Sequence, residues 1–308
     1  MTVDARHGDA ISLLRGIPDK SVDLVIADPP YNLGKDYGNN HDSKSFDEYI
    51  DFTREWVYEA KRILSPKGSI YVFMGVRFIS FLYEILEREF DFLFNSWIVW
   101  HYTQGMGKTK GFSPRHDDIL FFTKGKEFTF NLDSVRVPQK FYRDRNNMRG
   151  ANPGDVWQFS HVHYCNANRQ NHPTQKPEGL IERMILASSS EGQLVVDPFM
   201  GSGTTLRVCQ QLNRHAIGID VNPEYVDMTK NRLLQPFDGF DGVDPRMERV
   251  PNDLRRPDIR EEYLANHVKW FLSNHANAID AFQREVKEKY GVGIESPKLA
   301  NGNQGELF

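Results

Sequence analysis

The sequence is poor in cysteine, and it has neither a long apolar run nor an overall basic charge. Only Cys165 and Cys209 occur, far apart in the chain, so the sequence supports neither a disulfide framework nor a zinc cluster. No stretch approaches the roughly 20 apolar residues that a membrane-spanning helix needs, and residues 1–9 carry no signal-peptide pattern. We therefore expect a cytoplasmic protein without a membrane partner and without a bound metal.

The formal net charge is −4, which argues against a uniformly basic surface for nucleic acid. Positive charge is instead concentrated between residues 136 and 149, where aromatic residues are interleaved with it. The basic residues there are Arg136, Lys140, Arg143, Arg145 and Arg149. Any contact with a polyanion is therefore expected to be local, and a solvated basic loop is the alternative.

Short apolar runs alternate with amphipathic segments along most of the chain. The runs predict strands at 22–27, 69–74, 97–101, 118–123, 194–197 and 216–220. The amphipathic segments predict helices at 46–64, 76–90, 177–190, 203–213 and 222–235. This alternation predicts an α/β fold with a mostly parallel sheet and helices on both faces.

Two regions break the alternation. Residues 124–172 are polar, basic and rich in Asn, Gln and His, and a stretch of this length without periodicity is usually functional or disordered. Residues 236–257 are rich in Pro, Gly and Asp, which is typical of a linker, and 258–290 have a helical pattern.

A proline-rich motif, Asp28-Pro29-Pro30-Tyr31, directly follows the apolar run 22–27. Consecutive prolines fix φ and exclude a continuing helix or strand, so the loop is stiff. Stiffness presents the Asp28 carboxylate and neighbouring carbonyls as aligned acceptors, and Tyr31 offers a flat stacking surface. Such a loop suits an exocyclic amine, whose hydrogens it holds while the nitrogen lone pair faces an electrophile. Taken alone, the motif also fits an ordinary proline turn.

A glycine loop at 197–205 follows the apolar run 194–197 and precedes a predicted helix. Gly201 and Gly203 allow the backbone to approach a ligand and expose N–H groups at the helix start. The loop is not the dinucleotide fingerprint, because no third glycine follows, nor a Walker loop, because the lysine is absent. The next predicted strand ends at Asp220, where an acid can bind ribose hydroxyls. The sequence therefore predicts a nucleoside cofactor at this loop.

Together the two motifs resemble the DNA methyltransferases that methylate amino groups, of the N4/N6 type, with S-adenosylmethionine. Their signatures, [N/D/S]-P-P-[Y/F/W] and F-x-G-x-G, are met by Asp28 to Tyr31 and Phe199 to Gly203. Their order matches the circularly permuted β group of that family, and the resemblance covers about residues 7–235. It implies a Rossmann-like methyltransferase fold with an inserted target recognition region. The implied division is a catalytic half at 1–123, a target recognition region at 124–172, a cofactor-binding half at 173–235, and a linker with a helical C-terminal extension at 236–308.

The resemblance also implies roles for individual residues. Asp28 and the Pro29 carbonyl would accept hydrogen bonds from the target amine. Tyr31 would stack on the target base, and Pro30 belongs to the same catalytic loop. The cofactor-binding residues would be Asp9, Ala10, Asp28, Thr174, Gln175, Lys176, Asp197, Phe199, Gly201, Ser202, Gly203, Thr204 and Asp220. Direct in-line attack of the amine on the sulfonium methyl group would need no covalent enzyme intermediate, which agrees with the lack of a cysteine motif.

Three further segments match the family. Residues 172–177 (His-Pro-Thr-Gln-Lys-Pro) resemble a segment that helps to wall the cofactor pocket, and Gly8-Asp9-Ala10 one near the cofactor adenine. Residues 115–122 resemble the strand that borders the pocket for the target base.

The resemblance makes double-stranded DNA the expected partner. The residues expected to bind it are Lys108, Lys110, Arg115, Arg136, Lys140, Arg143, Arg145 and Arg149. The glycine-rich basic stretch 105–111 is either a loop that closes around flipped DNA or a surface hairpin. His161, His163 and Cys165 are spaced like metal ligands, but one strand places at most two of them on a face, so we expect polar recognition residues instead. A homodimer and a cognate restriction endonuclease are further partners that the resemblance allows.

These observations favour a site-specific DNA methyltransferase that acts on N6 of a flipped-out adenine. Aspartate at the first motif position favours adenine, since cytosine-N4 enzymes of the family more often carry serine there; cytosine-N4 methylation is the first alternative. N-methylation of RNA or of a protein glutamine is more distant, because the motif order and the basic insertion disfavour it. An inactive recognition subunit would need a damaged catalytic motif, and both motifs are intact.

Overall fold

The computed structural model describes residues 1–32, 44–102, 107–137, 150–162 and 169–236. The chain divides into two units, Met1–Asn252 and Asp253–Phe308, and all described residues belong to the first. Apart from Pro236, the predicted linker and helical extension therefore lie outside the described residues.

Strands and helices alternate along the described residues. The strands are β1 (Val3–His7), β2 (Val22–Ala27), β3 (Leu64–Met74), β4 (Leu93–His101), β5 (His116–Thr123), β6 (Val156–Gln158), β7 (Leu194–Asp197) and β8 (His215–Asp220). The α-helices are α1 (Ala10–Arg15), α2 (Phe46–Ile63), α3 (Ile79–Glu84), α4 (Glu178–Ser188), α5 (Thr204–Gln211) and α6 (Pro223–Leu234). A π-helical turn at Ile85–Glu89 follows α3, and a 3-10 turn at Leu132–Ser134 follows β5.

The strands form one sheet in the order β1-β8-β7-β2-β3-β5-β4-β6. β5 pairs antiparallel with β3 and β4, and the other described pairs are parallel. Every strand of this sheet except β5 therefore points in one direction. The mostly parallel α/β sheet predicted from the alternation is confirmed.

Helices cover both faces of the sheet, and the side chains of β3 show why. Val72 packs with apolar residues of α1, α2 and α3, whereas Tyr71 and Phe73 pack with those of α4, α5 and α6. Successive side chains of a strand point to opposite faces, so a continuously apolar strand feeds two cores.

Helix α2 begins and ends where local chemistry dictates. The Ser45 hydroxyl accepts a hydrogen bond from the Glu48 N–H at 3.3 Å, and the Glu48 carboxylate accepts one from the Ser45 N–H at 2.8 Å, which forms a capping box. The helix ends at Ile63, and Leu64 is already extended. Pro66 and Gly68 follow, which disfavour a continuing helix.

The pairing of β2 with β7 brings the two sequence motifs together. Leu24 lies opposite Val195 and Val25 opposite Val196, in parallel register. The loops that follow these strands therefore leave the same edge of the sheet side by side. In open α/β sheets this carboxyl edge is where ligands bind.

Several short elements were not predicted. β1, α1 and β6 are missing from the expected pattern because three to six residues are too few for a clear period. β6 lies within 124–172 and buries Trp157, so this region is less uniformly polar than expected. The expected helix at 76–90 is wrong in detail, since α3 ends at Glu84 and a π-helical turn replaces its second half.

None of the described helices combines the length and the apolarity that crossing a membrane requires.

Candidate active site

A cavity of about 420 Å³ opens at the carboxyl edge of the sheet, between the loops that follow β2 and β7. The predicted site residues that line it are Asp9, Ala10, Asp28, Pro29, Pro30, Tyr31, Thr174, Lys176, Asp197, Phe199, Gly201, Ser202, Thr204 and Asp220. The fold thus places both motifs, far apart in the sequence, around a single cavity.

Asp28 is held by two donors inside the cavity. The Tyr31 hydroxyl donates to Oδ1 at 2.8 Å, and the Lys176 ammonium group donates to Oδ2 in a largely buried ion pair. Each carboxylate oxygen can accept a second hydrogen bond. Asp28 is therefore an oriented acceptor with capacity left for a ligand.

Aromatic rings surround this ion pair. The Lys176 nitrogen lies 5.8 Å from the centroid of the Tyr31 ring and 5.0 Å from that of Phe73. The hydroxyl of buried Tyr49 donates to the Pro30 carbonyl at 2.7 Å, which ties the proline loop to α2. The loop is thus stiffened by its prolines and by the helix packed behind it.

The glycine loop has the backbone that only glycine adopts easily. Gly201 has φ +47° and Gly203 has φ +73°. A Cβ at Gly201 would lie 2.8 Å from Nε2 of His172, and one at Gly203 would lie 2.4 Å from Cγ2 of Thr229. Glycine is required at both positions by conformation and by space. Because neither glycine carries a side chain, helix α5 can begin directly at the cavity wall.

Asp220 ends β8 and fastens the glycine loop. Its Oδ2 accepts a hydrogen bond from the Gly201 N–H at 2.9 Å, and its Oδ1 accepts one from the Asn222 N–H at 2.8 Å. Burial raises the pKa of this carboxyl group, and the backbone donors of Asn222, Gly201 and Val221 oppose that rise. The carboxylate lines the cavity, and its oxygens, with about four acceptor sites between them, retain capacity beyond these three backbone donors.

Burial also shifts two other titrating groups. It raises the pKa of Asp197 to about 7, although hydrogen bonds from Thr205 and from the Phe199 N–H lower it. It lowers the pKa of His172 to about 4, and the positive charge of Lys176 lowers it further. His172 is therefore neutral at physiological pH, while Asp197 titrates near it.

The cavity carries an excess of acidic side chains. Asp9, Asp28, Asp197 and Asp220 line it against the two lysines Lys44 and Lys176. Asp9 also caps α1, accepting from the Ser12 N–H at 2.9 Å. Such a lining favours a ligand with positive charge.

Apolar side chains form the remaining walls of the cavity, and most of them were not predicted from the sequence. Phe199 packs edge-on against Trp56 at 5.6 Å and near Phe52 at 6.0 Å. Phe52 and Phe73 line the cavity, but their places in the apolar patterns of α2 and β3 are typical of ordinary core residues. His172 lines it too, beside Tyr225 at 4.6 Å, and its only signal was its place in the family-like segment 172–177.

Two predicted cofactor residues lie beside the lining. Gln175 is buried, and its Oε1 accepts from the Gln170 N–H at 2.6 Å. Gly203 faces Thr229 of α6. Both support the segments that form the wall: the Thr204 hydroxyl donates to the Lys176 carbonyl at 3.2 Å and so joins these segments.

The predicted DNA-binding residues fall into three groups. Lys108, Lys110 and Arg115 lie on the connection between β4 and β5, at the same edge of the sheet as the cavity. Arg136 donates to Asp133 at 2.7 Å and to the Gly150 carbonyl at 2.9 Å, so it braces its own segment. The others, Lys140, Arg143, Arg145 and Arg149, lie outside the described residues.

Within the described ranges, no three His, Cys, Asp or Glu side chains are grouped as a metal site would require. His161 instead packs against the rings of Tyr102 at 3.9 Å and Trp100 at 4.9 Å, and burial lowers its pKa to about 4. His163 and Cys165 lie outside the described residues.

A sheet of this topology, with a glycine loop and a strand-terminal acid at one cavity, defines a Rossmann-like methyltransferase. The chain belongs to the N6/N4 DNA methylase family, whose model matches residues 22–231. It is therefore a DNA methyltransferase.

Individual relatives agree with this family assignment. M.HpaI, a Type II methyltransferase of Haemophilus parainfluenzae, is 61% identical over 283 residues, which cover 92% of this chain and 90% of that protein. The DNA adenine methyltransferase YhdJ of Escherichia coli K12 is 39% identical over 240 residues, covering 74% and 81%. The solved M1.HpyAVI–SAM complex matches with a TM-score of 0.57 at 25% identity, covering 75% of this chain and 99% of that one. Circular permutation stays a prediction.

Proposed function

We propose that this chain transfers the methyl group of S-adenosylmethionine to the exocyclic N6 of adenine at specific sites in double-stranded DNA. The observation that carries the proposal is the shared cavity, which sets the acceptor Asp28 of the proline loop beside the glycine loop. One loop suits an amine and the other suits a nucleoside. Methyl transfer from the cofactor to the amine requires both ligands in one cavity.

The residues present fit S-adenosylmethionine. Four carboxylates against two lysines suit a ligand with an ammonium group and a sulfonium. Asp220 keeps acceptor capacity for a ribose hydroxyl, and the ring of Phe199 offers an apolar wall. When bound, the cofactor supplies an electrophilic methyl group. The residues that would hold it are those predicted for the cofactor that line the cavity, namely Asp9, Ala10, Thr174, Lys176, Asp197, Phe199, Gly201, Ser202, Thr204 and Asp220. Gln175 and Gly203 would support this wall from behind, and Asp28 would face the target amine.

Asp28 orients the target amine by accepting one of its N–H hydrogens, and the Pro29 carbonyl accepts the other. Tyr31 and Lys176 already donate to both carboxylate oxygens. Asp28 therefore acts as a fixed hydrogen-bond acceptor, and it need not remove a proton before the amine attacks. This positioning lowers the entropic part of the barrier.

The aromatic part of the cavity would receive the base. Tyr31 would stack on it, opposite the apolar surface of Phe73. A paired base hides its amine, so the nucleotide must be flipped out of the duplex at a cost of a few kcal/mol. Direct attack by the amine agrees with the position of Cys209, which is fully buried in α5, away from the lining, where burial raises the pKa of its thiol. Cys165 lies outside the described residues.

Adenine is favoured by Asp28 at the first position of the proline motif and by the likeness to YhdJ, a DNA adenine methyltransferase. The family also includes N4 enzymes, so base identity needs a direct experiment. Genomic DNA from cells that express the chain should be sequenced by a method that detects modified bases, with cells that express Asp28→Ala as the blank.

We expect N6-methyladenine at one recurring sequence and none in the blank. N4-methylcytosine at the recurring sequence would replace the adenine assignment. Unmodified DNA, with the protein folded and cofactor present, would overturn the function.

DNA recognition belongs, in this proposal, to the region 124–172 between the catalytic half at 1–123 and the cofactor half at 173–235. The basic residues at 136–149 would contact phosphates and, at one or two positions, guanine edges. Lys108, Lys110 and Arg115 would contact the duplex beside the cavity.

The likeness to the Type II methyltransferase M.HpaI supports a role in a restriction–modification system with a cognate endonuclease. The enzyme would act on cytoplasmic DNA. A homodimer is the assembly to test, by measuring its mass in solution.

A further inference from the structure

The connection between β4 and β5 carries a segment, residues 107–115, that we call the basic loop. We propose that Phe112 of this loop is a wedge: it enters the base stack of DNA and fills the space that the target base leaves when it is flipped. The inference rests on the proposed function, since it assumes a flipped base.

Phe112 is exposed to an extent that packing does not explain. Its side chain is 99% exposed, more than any other large apolar side chain in the described part of the chain. A phenylalanine in water gains nothing for the fold, whereas burying it against another apolar surface is favourable. The ring is therefore available to an external partner, and its surroundings decide which.

The topology places the basic loop at the same edge of the sheet as the cavity. β4 runs parallel to β2 and β3, so the chain leaves β4 at the same edge of the sheet as the proline loop leaves β2. β3 and β5 lie between β2 and β4, which gives a lateral offset of about 14 Å at the usual strand spacing. This offset is comparable to the roughly 12 Å width of the major groove of DNA.

The charge of the basic loop identifies the partner. Lys108, Lys110 and Arg115 occur in it without any acidic residue. Lys108 and Lys110 are both exposed to solvent. Cations that flank an exposed apolar side chain suit a duplex, where phosphates surround the bases.

Hydrogen bonds hold the base of the loop while leaving Phe112 outside. The Tyr102 N–H donates to the Arg115 carbonyl at 3.0 Å, and the Lys108 N–H donates to the Ser113 hydroxyl at 2.8 Å. An anchored loop presents its aromatic side chain with a smaller loss of conformational entropy on binding. Insertion of such a ring replaces the stacking that the departing base gives up.

The test compares Phe112→Ala with the wild-type enzyme on two duplexes that carry the methylation site mapped by sequencing. In one duplex the target adenine is paired with thymine, and in the other an abasic site lies opposite it. A wedge matters only where the base must be unpaired. We expect kcat/KM on the paired duplex to fall at least about tenfold and the abasic-site duplex to restore most of the loss.

Three variants sharpen the comparison. Phe112→Trp should keep the paired-duplex rate, since it keeps an aromatic wedge. Lys110→Ala should lose affinity equally on both duplexes, because it would remove only a phosphate contact. Tyr58→Ala, at a side chain 56% exposed on α2, should leave both rates unchanged.

A spectroscopic signature completes the test. With 2-aminopurine in place of the target adenine, the fluorescence increase on binding should be smaller for Phe112→Ala than for wild type.

Equal rates for Phe112→Ala and wild type, or an equal loss on both duplexes, would overturn the wedge. A wild-type enzyme that methylates no adenine would instead overturn the proposed function.

Discussion

Replacement of Gly203 by alanine tests the geometry of the glycine loop quantitatively. A residue with a Cβ in the left-handed region, as at φ +73°, costs about 1–2 kcal/mol. The new Cβ would also lie 2.4 Å from Cγ2 and 2.5 Å from Oγ1 of Thr229, which is fully buried and cannot simply move away. Overpacking of this kind costs about 1–3 kcal/mol. The free energy of unfolding should therefore fall by about 2–5 kcal/mol.

Gly192 provides a matched control. Its φ is +77°, but nothing lies within 4 Å of a Cβ built there. Gly192→Ala should therefore cost only the conformational part, about 1–2 kcal/mol. Urea unfolding followed by circular dichroism, with unchanged m-values, gives both losses.

A double variant isolates the contact. Thr229→Ala removes Cγ2 and Oγ1 and should recover part of the loss in the Gly203→Ala background, although not in the Gly192→Ala background. If Gly203→Ala is no more destabilising than Gly192→Ala, the close approach of the loop to α6 is wrong.

Three further changes test other parts of the site. Asp220→Ala should weaken S-adenosylmethionine binding about tenfold to a hundredfold in calorimetry, because a charged acceptor is lost; unchanged affinity would remove Asp220 from the pocket. The raised pKa of Asp197 means that its contribution to stability is complete below about pH 4 and is lost as pH rises through about 7. The unliganded wild type should therefore lose about 2–3 kcal/mol of unfolding free energy between pH 5 and pH 8 that Asp197→Asn does not lose, and parallel pH profiles would contradict this. Neutralising Arg143 and Arg145 should weaken DNA binding and flatten its dependence on salt; an unaltered slope would place the phosphate contacts elsewhere.

The strands that carry the two motifs could be predicted from the sequence because both faces of the sheet are buried at these strands. β2 was predicted at 22–27 and β7 at 194–197, with the bounds that the structure has. Central parallel strands are continuous apolar runs, and their ends are marked by motifs with proline or glycine. The positions of the two motifs correspond to the ends of these strands. The motifs lie close together because β2 pairs with β7.

Elements at the periphery were not readable in this way. Within the described residues β1 pairs only with β8, and it roughly alternates apolar and polar residues over five positions. β6 has three residues, and only its pairing with β4 makes it a strand. Short edge elements depend on tertiary partners rather than on their own pattern.

Contacts within the site also needed the fold. Nothing in the sequence pairs Lys176 with Asp28, since they approach only when the segment before α4 crosses the edge of β2. Phe52 and Phe73 read as core residues, because a cavity wall and a core share the same periodicity. The sequence motifs thus predicted polar and glycine residues that line the cavity, but the sequence did not reveal the apolar residues that give the cavity its shape.

Single-turnover methylation by Asp28→Ala and Asp28→Asn, with S-adenosylmethionine affinity measured alongside, tests the assignment of the catalytic loop most directly. Alanine removes the acceptor, whereas asparagine keeps an oxygen at the same place but cannot take up a proton. We expect the alanine variant to lose methyl transfer at least about a hundredfold while binding the cofactor nearly as well as wild type. The asparagine variant should keep at least about ten times the alanine rate. Wild-type turnover by Asp28→Ala would contradict the role of Asp28, and an asparagine variant as inactive as alanine would show that the carboxylate acts as a base and not as an oriented acceptor.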